Sequence, residues 1–198
     1  ESLSSPDFQS PVLEIVYSGV IDGIRDPFPL LKALKTVFGH TTDKVRLTFV
    51  GRVNESIKHL VANDNWFNTH VDLPGYVSHK EVFSYYEKAQ ILLLILTNTK
   101  NAKGNIPGKL FEYMATGREI LALGDPQGDA AQIIASSEAG QVFAHDDEAG
   151  LVQFLQNLTQ PGAKARDLKT SPIQRYSRRS LTQQLAFLLD GMKKDQEA

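Results

Sequence analysis

The segment from Ile91 to Leu123 reads ILLLILTNTKNAKGNIPGKLFEYMATGREILAL, and it predicts a strand, a helix and a second strand. Its first six residues are all apolar, which is typical of a strand that is buried on both faces of a sheet. After a polar loop, Pro107 and Gly108 open a short helix, and Glu119 begins the next strand. Strands that alternate with helices indicate a parallel sheet.

The same alternation continues along most of the chain. Further strands are predicted at Ile15–Ser18, Arg46–Val50, Thr69–Leu73 and Gln141–Phe143. Further helices are predicted near Pro29–Phe38, Glu55–Asn63, Ser78–Lys88, Ala130–Ser136, Glu148–Leu158 and Ser177–Leu189. Ser78 and Glu81 have the spacing of an N-terminal capping box. These segments predict an α/β fold: a doubly wound, Rossmann-like parallel sheet with helices on both faces.

The chain divides into a tail, a domain and a closing segment. We expect residues 1–11 to be a linker or tail and residues 12–160 to form the α/β domain. Residues 161–192 are expected to be a polar connector followed by a closing helix that packs on the same domain, and residues 193–198 a second tail. The closing helix is amphipathic, with four leucines on one stripe: Leu181, Leu185, Leu188 and Leu189.

The composition excludes several classes of protein. The 21 Lys and Arg residues nearly balance the 23 Asp and Glu residues, and because nucleic-acid-binding domains are usually basic we expect no nucleic acid partner. The chain has no cysteine, which excludes disulfides, cysteine–zinc sites and a thiol nucleophile, and which fits a cytoplasmic protein. No apolar run is long enough to span a bilayer. Because the chain begins at Glu1 rather than Met, we expect it to be an excised piece of a longer protein or a processed product.

The helix that opens at Pro107 has the features of a nucleotide site. The first N–H groups of a helix have no partners inside the helix, so they bind anions such as phosphate. Lys109 adds positive charge there, and Glu112, one turn further, offers a carboxylate to the hydroxyl groups of a ribose. In parallel sheets, ligands bind at the carboxyl ends of the strands. Three glycines follow predicted strands or turns on that same edge: Gly19, Gly51 and Gly75.

Four segments occur in a recognisable order. They are Tyr17-Ser18-Gly19, Arg46 to Gly51, Pro74 to His79, and Pro107 to Gly117, the last with the form Pro-x-Lys-Leu-x-Glu-Tyr-x-Ala-x-Gly. Together they resemble the C-terminal half of a GT-B glycosyltransferase of the group 1, retaining nucleotide-sugar family. The tail from Tyr176 onward is similar to the closing segment of that family, and the resemblance covers roughly residues 12–190.

This resemblance implies the donor-binding half of a hexosyltransferase-type enzyme. The complete enzymes transfer a sugar from a UDP- or GDP-activated donor in polysaccharide or glycolipid synthesis, with retention of the anomeric configuration. They have two α/β domains, and the N-terminal acceptor domain is missing from this chain, so we do not expect activity from it alone. The family implies no metal and no other cofactor, because basic side chains and the helix start replace the cation. A peripheral membrane association is expected of the complete enzyme only.

The resemblance also assigns roles to single residues. Glu112 matches the glutamate that accepts hydrogen bonds from the donor ribose, and its alternative is a solvated helix glutamate. A second family glutamate falls on Gly104, where this sequence departs from the pattern. Gly19 matches the glycine at which a side chain would block the donor phosphate or the inter-domain cleft, with an ordinary turn glycine as the alternative. Arg25 is the candidate diphosphate clamp, and a surface ion pair with Asp22 or Asp26 is its alternative.

The remaining candidates line the same predicted site. Lys109 is the second phosphate cation, with a capping-turn lysine as the alternative, and Arg52 is a phosphate ligand or a solvated arginine. Tyr76 and Val77 match the turn along the nucleobase, unless Tyr76 is a core residue. Two more residues of the helix start, Gly108 and Leu110, are expected to bind phosphate through backbone N–H groups next to Pro107. We predict no metal ligands and assign no catalytic residue.

Other patterns in the sequence do not indicate a metal site or a catalytic site. The five histidines are scattered without metal-ligand spacing, and the pairs Asp125/Asp129 and Asp146/Asp147 are expected to mark a turn and a helix start. No Ser-His-Asp arrangement, Walker loop or Gly-x-Gly-x-x-Gly motif is present. Two other functions stay open: a non-catalytic nucleotide-sugar-binding subunit that needs a partner chain, and one half of a sugar-nucleotide epimerase.

Overall fold

The computed structural model describes residues 4, 6–7, 10–41, 44–99, 102–158 and 172–194. Its strands are β1 (Leu13–Ser18), β2 (Val45–Val50), β3 (Val71–Gly75), β4 (Ile91–Ile95), β5 (Glu119–Leu123) and β6 (Gly140–Phe143). Its α-helices are α1 (Phe28–Phe38), α2 (Glu55–Asn63), α3 (Asn65–His70), α4 (His79–Lys88), α5 (Gly108–Thr116), α6 (Asp129–Ser136), α7 (Glu148–Leu158) and α8 (Arg178–Lys194). Two short 3₁₀ helices span Ala102–Gly104 and Pro172–Tyr176.

The six strands form one parallel sheet in the order β3-β2-β1-β4-β5-β6. The strand order reverses between β1 and β4, so the loops after these two strands leave the sheet toward opposite faces. That switch point is where open α/β sheets bind ligands. The predicted doubly wound α/β fold is confirmed.

Each face of the sheet carries its own core because successive side chains of a strand point to opposite faces. In β1, Ile15 and Tyr17 pack with the apolar residues of α1, α2, α3 and α7. Val16 lies on the other face, with the apolar residues of α4, α5 and α6. The central strand β4 is fully buried, as its continuous apolar run predicted.

Helix α5 forms where the block from Pro107 to Gly117 predicted it. Pro107 is its extended N-cap, and Gly117 ends it in the left-handed conformation, at φ 73°, which a glycine adopts without strain. Leu110, Tyr113 and Met114 are buried against the sheet. The capping box that was predicted for α4 from Ser78 is also present. The capping residues in the sequence therefore predict the positions of both helices.

The third strand lies two residues later than predicted, because an unpredicted helix precedes it. The Asp64 carboxylate accepts hydrogen bonds from the N–H groups of Trp66 and Phe67, which starts α3. Trp66 and His70 then stack one helical turn apart, with ring centroids at 4.4 Å, and His70 ends the helix. Six residues are too few for a clear helical period in the sequence.

The closing helix does not pack as the sequence predicted. Its leucine stripe is exposed: Leu181 by 47%, Leu185 by 56%, Leu188 by 62% and Leu189 by 52%. The helix follows the 3₁₀ helix at Pro172–Tyr176, which contacts α5, so α8 is attached to the domain at its first turn and its apolar stripe faces solvent. The expected polar connector falls mostly on residues 159–171, which lie outside the described residues.

Among the helices that the structure describes, none combines the length and the apolar character that crossing a bilayer demands.

Candidate functional site

Two adjoining clefts open at the carboxyl edge of the sheet, beside the switch point. The larger has a volume of about 610 Å³ and is lined by residues that include Gly19, Arg52, Tyr76, Val77, Lys109 and Glu112. The smaller has a volume of about 300 Å³ and is lined by residues that include Gly19, Arg25, Asn105, Pro107 and Lys109. Gly19 and Lys109 therefore lie at the boundary between the two clefts.

Main-chain hydrogen bonds join the strand ends beside the larger cleft. The Gly19 N–H donates to the carbonyl of Val50, and the Gly51 N–H donates to the carbonyl of Gly75, both at 2.8 Å. Gly19 has φ +135° and Gly51 has φ +122°, which side chains disfavour. A Cβ on Gly51 would also collide with the Gly19 carbonyl oxygen. Both positions therefore favour glycine by their backbone conformation, and at Gly51 the nearby Gly19 carbonyl leaves no room for a side chain.

Lys109 occupies the space that Gly19 leaves open. A Cβ on Gly19 would lie 2.8 Å from the Lys109 Nζ, which donates a hydrogen bond to the Ser18 carbonyl. The same ammonium lies 5.7 Å from the centroid of the Tyr17 ring. Burial lowers the pKa of Lys109, the Glu112 carboxylate opposes this change, and Arg25 adds to it. A partly desolvated ammonium beside a second cation favours an anionic ligand.

Glu112 adjoins a cluster of buried hydroxyl groups that the sequence did not reveal. The Tyr86 hydroxyl lies 2.6 Å from the Ser18 Oγ, and the Tyr113 hydroxyl accepts a hydrogen bond from the Ser18 N–H at 3.1 Å. Burial raises the pKa of Tyr86, and the Glu112 carboxylate beside it raises this pKa further. Burial also raises the pKa of Tyr113. Both tyrosine hydroxyl groups therefore remain protonated at neutral pH.

Arg25 forms the ion pair that was its alternative assignment. Its Nη1 donates to the Asp22 carboxylate at 2.8 Å, and both side chains are partly exposed. Arg25 also lines the smaller cleft, next to Lys109. A phosphate ligand would therefore have to share Arg25 with Asp22 or displace that carboxylate.

One wall of the larger cleft is aromatic. Tyr76 is 91% exposed, so the alternative that it belongs to the core is wrong. His79 also lines this cleft, and its ring lies 5.2 Å from the ring of Phe83, centroid to centroid. His79 was grouped with the scattered histidines, because its place on the wall follows from the fold and not from sequence spacing. Phe83 is itself partly exposed.

The prediction that Leu110 binds phosphate through its N–H group is wrong. This N–H donates to the Pro107 carbonyl at 2.9 Å, which closes the first turn of α5, and the Leu110 side chain is fully buried. Gly108 has open space where a Cβ would lie, so the helix start is accessible there. Gly108 and Lys109 hold the helix-start N–H groups that remain candidates for phosphate.

The position of the missing family glutamate is an exposed turn. Gly104 ends the 3₁₀ helix Ala102–Gly104, and the nearest atom to an added Cβ would be the Asp129 Oδ2, at 4.0 Å. The aspartate pairs have the structural roles that were expected of them. Asp125 accepts the Gln127 N–H in a turn, and Asp147 accepts the Gly150 N–H at the start of α7. No cluster of three metal-ligating side chains occurs among the described residues.

Comparisons with known proteins agree with this geometry. Residues 14–160 match the family model of the glycosyl transferases group 1. No curated protein sequence matches the chain.

The fold is similar to solved structures at low identity. The chain aligns with the lipopolysaccharide outer core galactosyltransferase WaaB (TM-score 0.67, 15% identity, 96% of this chain and 52% of that one). It aligns with the sucrose-phosphate synthase of Thermosynechococcus elongatus (0.66, 18%, 93% and 46%) and with the C-terminal domain of the group 1 protein LpcC from Francisella tularensis (0.58, 16%, 76% and 77%). The chain thus spans about half the length of the two whole enzymes.

Proposed function

Because the chain belongs to the group 1 glycosyltransferases, we propose that it is the donor-binding half of a retaining enzyme that uses a nucleotide-diphosphate sugar of the UDP or GDP type. The observation that carries this proposal is the larger cleft at the switch point of the sheet. A cation, a carboxylate and an exposed aromatic ring line this one cleft: Lys109, Glu112 and Tyr76. The cation suits a diphosphate, the carboxylate suits the hydroxyl groups of a ribose, and the aromatic ring suits a base.

The diphosphate is proposed to bind at the boundary between the two clefts. The Lys109 ammonium lies there, and the N–H groups of Gly108 and Lys109 are the first of α5. An anion at this place would offset the desolvation that lowers the pKa of Lys109. Arg25 is the second cation, and Arg52 lines the larger cleft as a third. These positive charges would stabilise the diphosphate as it leaves the sugar.

The nucleoside is proposed to fill the larger cleft. Glu112 is half-buried and faces this cleft, where its carboxylate can accept hydrogen bonds from two vicinal hydroxyl groups. Tyr76 offers an exposed ring for stacking with the base, and the Val77 backbone follows it in the same turn. The sugar would then extend toward the smaller cleft, past Lys109.

The acceptor is proposed to bind a second α/β domain that this chain does not contain. The chain covers about half of whole enzymes with the same fold, and the exposed leucine stripe of α8 is an apolar surface that a second domain could cover. A separate partner chain could supply that domain equally well. Sugar transfer by this chain alone, without any other protein, would contradict the half-enzyme proposal.

We also propose that the reaction needs no metal ion and serves polysaccharide or glycolipid assembly in the cytoplasm. Lys109 and Arg25 carry the positive charge that a divalent cation would supply elsewhere. Peripheral attachment to a membrane is proposed for the complete enzyme only. Nucleotide binding that is unchanged by excess EDTA would support the metal-free proposal, and binding that depends on added Mg²⁺ would contradict it.

Isothermal titration of this chain with UDP, GDP and ADP tests the proposed function. Glu112→Ala is expected to weaken nucleotide binding about tenfold or more, because hydrogen bonds to a charged group are lost. Arg25→Ala is expected to weaken it less, because Asp22 already shares that guanidinium. The matched controls are Glu148→Ala and Arg179→Ala, which change exposed charges on α7 and α8. If no nucleotide binds, or if both site variants bind like the wild type, the proposal fails.

A further inference from the structure

The smaller cleft adjoins the larger one at Gly19 and Lys109 and has room for a small ligand. Its volume of about 300 Å³ lies at the lower end of the range for small-molecule sites, roughly 300–1,000 Å³. The larger cleft, with about 610 Å³, is the one that is proposed to hold the nucleoside. A group that is attached to a diphosphate at Lys109 can therefore enter the smaller cleft while the nucleoside stays in the larger one.

The smaller cleft offers both apolar and polar contacts to such a group. Its apolar lining includes residues 94–96 at the end of β4, which are buried, and Val20, which is 41% exposed. Two neutral polar residues line it beside the two cations, namely Thr97 and Asn105, and no carboxylate of the described residues does so. An apolar lining with a few polar groups that fix orientation is typical of small-molecule sites. A sugar ring, which has apolar C–H faces and a rim of hydroxyl groups, matches this lining.

Thr97 and Asn105 lie near the two ends of the connection between β4 and α5, and a hydrogen bond joins their side chains. The Asn105 Nδ2 donates to the Thr97 Oγ1 at 3.3 Å. A side-chain amide has two N–H donors and an oxygen acceptor, and a hydroxyl group has one donor and two lone pairs. This bond uses one amide donor and one hydroxyl lone pair, so the pair retains the capacity to donate and to accept. Sugar hydroxyl groups need both kinds of partner, because each of them donates and accepts.

Main-chain hydrogen bonds hold both residues in place. The N–H group of Leu96, next to Thr97, donates to the Leu123 carbonyl at 2.9 Å, and the Asn105 N–H donates to the Ala102 carbonyl at 3.0 Å. Each side chain is therefore attached to ordered backbone, which limits the conformational entropy that is lost when it binds a ligand.

We propose that Thr97 and Asn105 form the subsite for the transferred sugar and bind its hydroxyl groups. The ligand class is a sugar ring with free hydroxyl groups, joined through its anomeric carbon to the diphosphate at Lys109. The amide and the hydroxyl then contribute to the choice between donors that differ in the position or configuration of one hydroxyl group. This inference rests on the proposed function, because the nucleotide in the larger cleft must hold the sugar at the smaller one.

Isothermal titration compares each nucleotide with its sugar donors: UDP with UDP-glucose and UDP-galactose, and GDP with GDP-mannose. Asn105→Ala is expected to weaken the binding of the accepted donor about fivefold, because neutral hydrogen bonds to the sugar are lost. Thr97→Val removes the hydroxyl group and keeps the branched shape, and a loss of similar size is expected. Both variants should bind the bare nucleotide within about twofold of the wild type, because it carries no transferred sugar.

Asn98→Ala is the matched control, because Asn98 is an exposed residue of the same type on the same connection and lines neither cleft. Its backbone N–H donates to the Ile24 carbonyl at 3.4 Å, and this bond does not depend on the side chain. Asn98→Ala should bind nucleotide and donor like the wild type. Thr97→Ser keeps the hydroxyl group, so it should retain the donor affinity that Thr97→Val loses.

The ratio of donor affinity to nucleotide affinity separates the outcomes. If Asn105→Ala and Thr97→Val weaken nucleotide and donor alike, the two residues only hold the start of α5, and the sugar subsite is overturned. The subsite is also overturned if neither variant changes the ratio, or if the wild type binds a nucleotide and none of the donors. In these cases the proposed nucleotide site stands. If the wild type binds no nucleotide, the proposed function fails and this inference fails with it.

Discussion

Helices α5 and α8 have similar amphipathic patterns, but α5 buries its apolar face and α8 exposes it. In α5, Leu110 and Tyr113 are fully buried against the sheet. In α8, Leu185 is 56% exposed and Leu188 is 62% exposed, although the leucines recur at helical spacing in the same way. The comparison teaches that a hydrophobic stripe predicts a surface to be covered, and not which surface covers it. Helix α5 finds its partner within the domain, whereas the described residues leave the stripe of α8 uncovered.

The largest expected difference between the two helices is in the stability of the domain. Leu110→Ala removes buried methyl groups from the core under α5, so we expect the free energy of unfolding to fall by about 3 kcal/mol. Urea unfolding, followed by the fluorescence of Trp66, the only tryptophan, measures this loss. A loss below about 1 kcal/mol would mean that the helix contributes little to the core.

The second expected difference appears at alkaline pH, because a buried tyrosine, Tyr17, lies beside the ammonium of Lys109 on α5, and α8 contains no tyrosine. Burial raises the pKa of Tyr17 to about 12, from an ordinary value of 10.0. Its contribution to stability is therefore present below pH 10 and is lost as the pH rises through 12, because only the unfolded chain ionises between these values. Tyr17→Phe should lose this dependence, so the stability of the wild type relative to the variant should fall by roughly 1.3 kcal/mol between pH 9 and pH 11.

Urea unfolding at these two pH values checks the alkaline prediction. Leu185→Ala in α8 is the control, and it should keep the pH dependence of the wild type. Parallel curves for wild type and Tyr17→Phe would contradict the assignment of the pKa shift to Tyr17.

The third expected difference concerns two glycines, whose replacement by alanine should change stability in opposite directions. Gly117 ends α5 with φ 73°, so Gly117→Ala should destabilise the domain by about 1 kcal/mol. Gly191 lies inside α8 with open space around it, so Gly191→Ala should stabilise the helix by about 0.5–1 kcal/mol. Unfolding curves measure the first change, and the far-ultraviolet circular dichroism at 222 nm measures the second. Changes of the same sign would break the contrast between the two helices.

The smallest expected effect on stability belongs to the exposed stripe itself. Leu185→Ser together with Leu188→Ser should change the free energy of unfolding by less than about 0.5 kcal/mol per residue, because both side chains already face solvent. Sedimentation velocity should show the same or less self-association than in the wild type, since exposed apolar patches promote association. A strong loss of stability would show that the stripe is covered within this chain.

The fold could be predicted from the sequence because its signals are local. The apolar run at Ile91 marks a strand that is buried on both faces, and Gly117 ends a helix by its own backbone preference. Where the local signal was weak, the prediction failed. Helix α3 has only six residues. Whether the leucine stripe around Leu185 is buried depends on surfaces far away in the sequence.

Part of the candidate site could likewise be predicted from local sequence signals, and part could not. Lys109 and Glu112 could be predicted because they lie on one helix, at its start, next to a glycine. The contact between Tyr86 and Ser18 could not, because 68 positions separate them in the sequence and only the packing of α4 against β1 brings them together. The amide of Leu110 was assigned wrongly because the 3₁₀-type closure of the first helical turn cannot be seen in the residue types.

The glycine-to-carbonyl bonds at the ends of β1, β2 and β3 have a consequence for how this domain can change over evolutionary time. Because these bonds join main-chain groups, they do not depend on which side chains surround them. The side chains of the wall residues Tyr76 and His79 are exposed and do not belong to the buried core. Substitutions at these two positions should therefore leave the domain folded. The lining of this cleft can therefore change over evolutionary time while the fold persists.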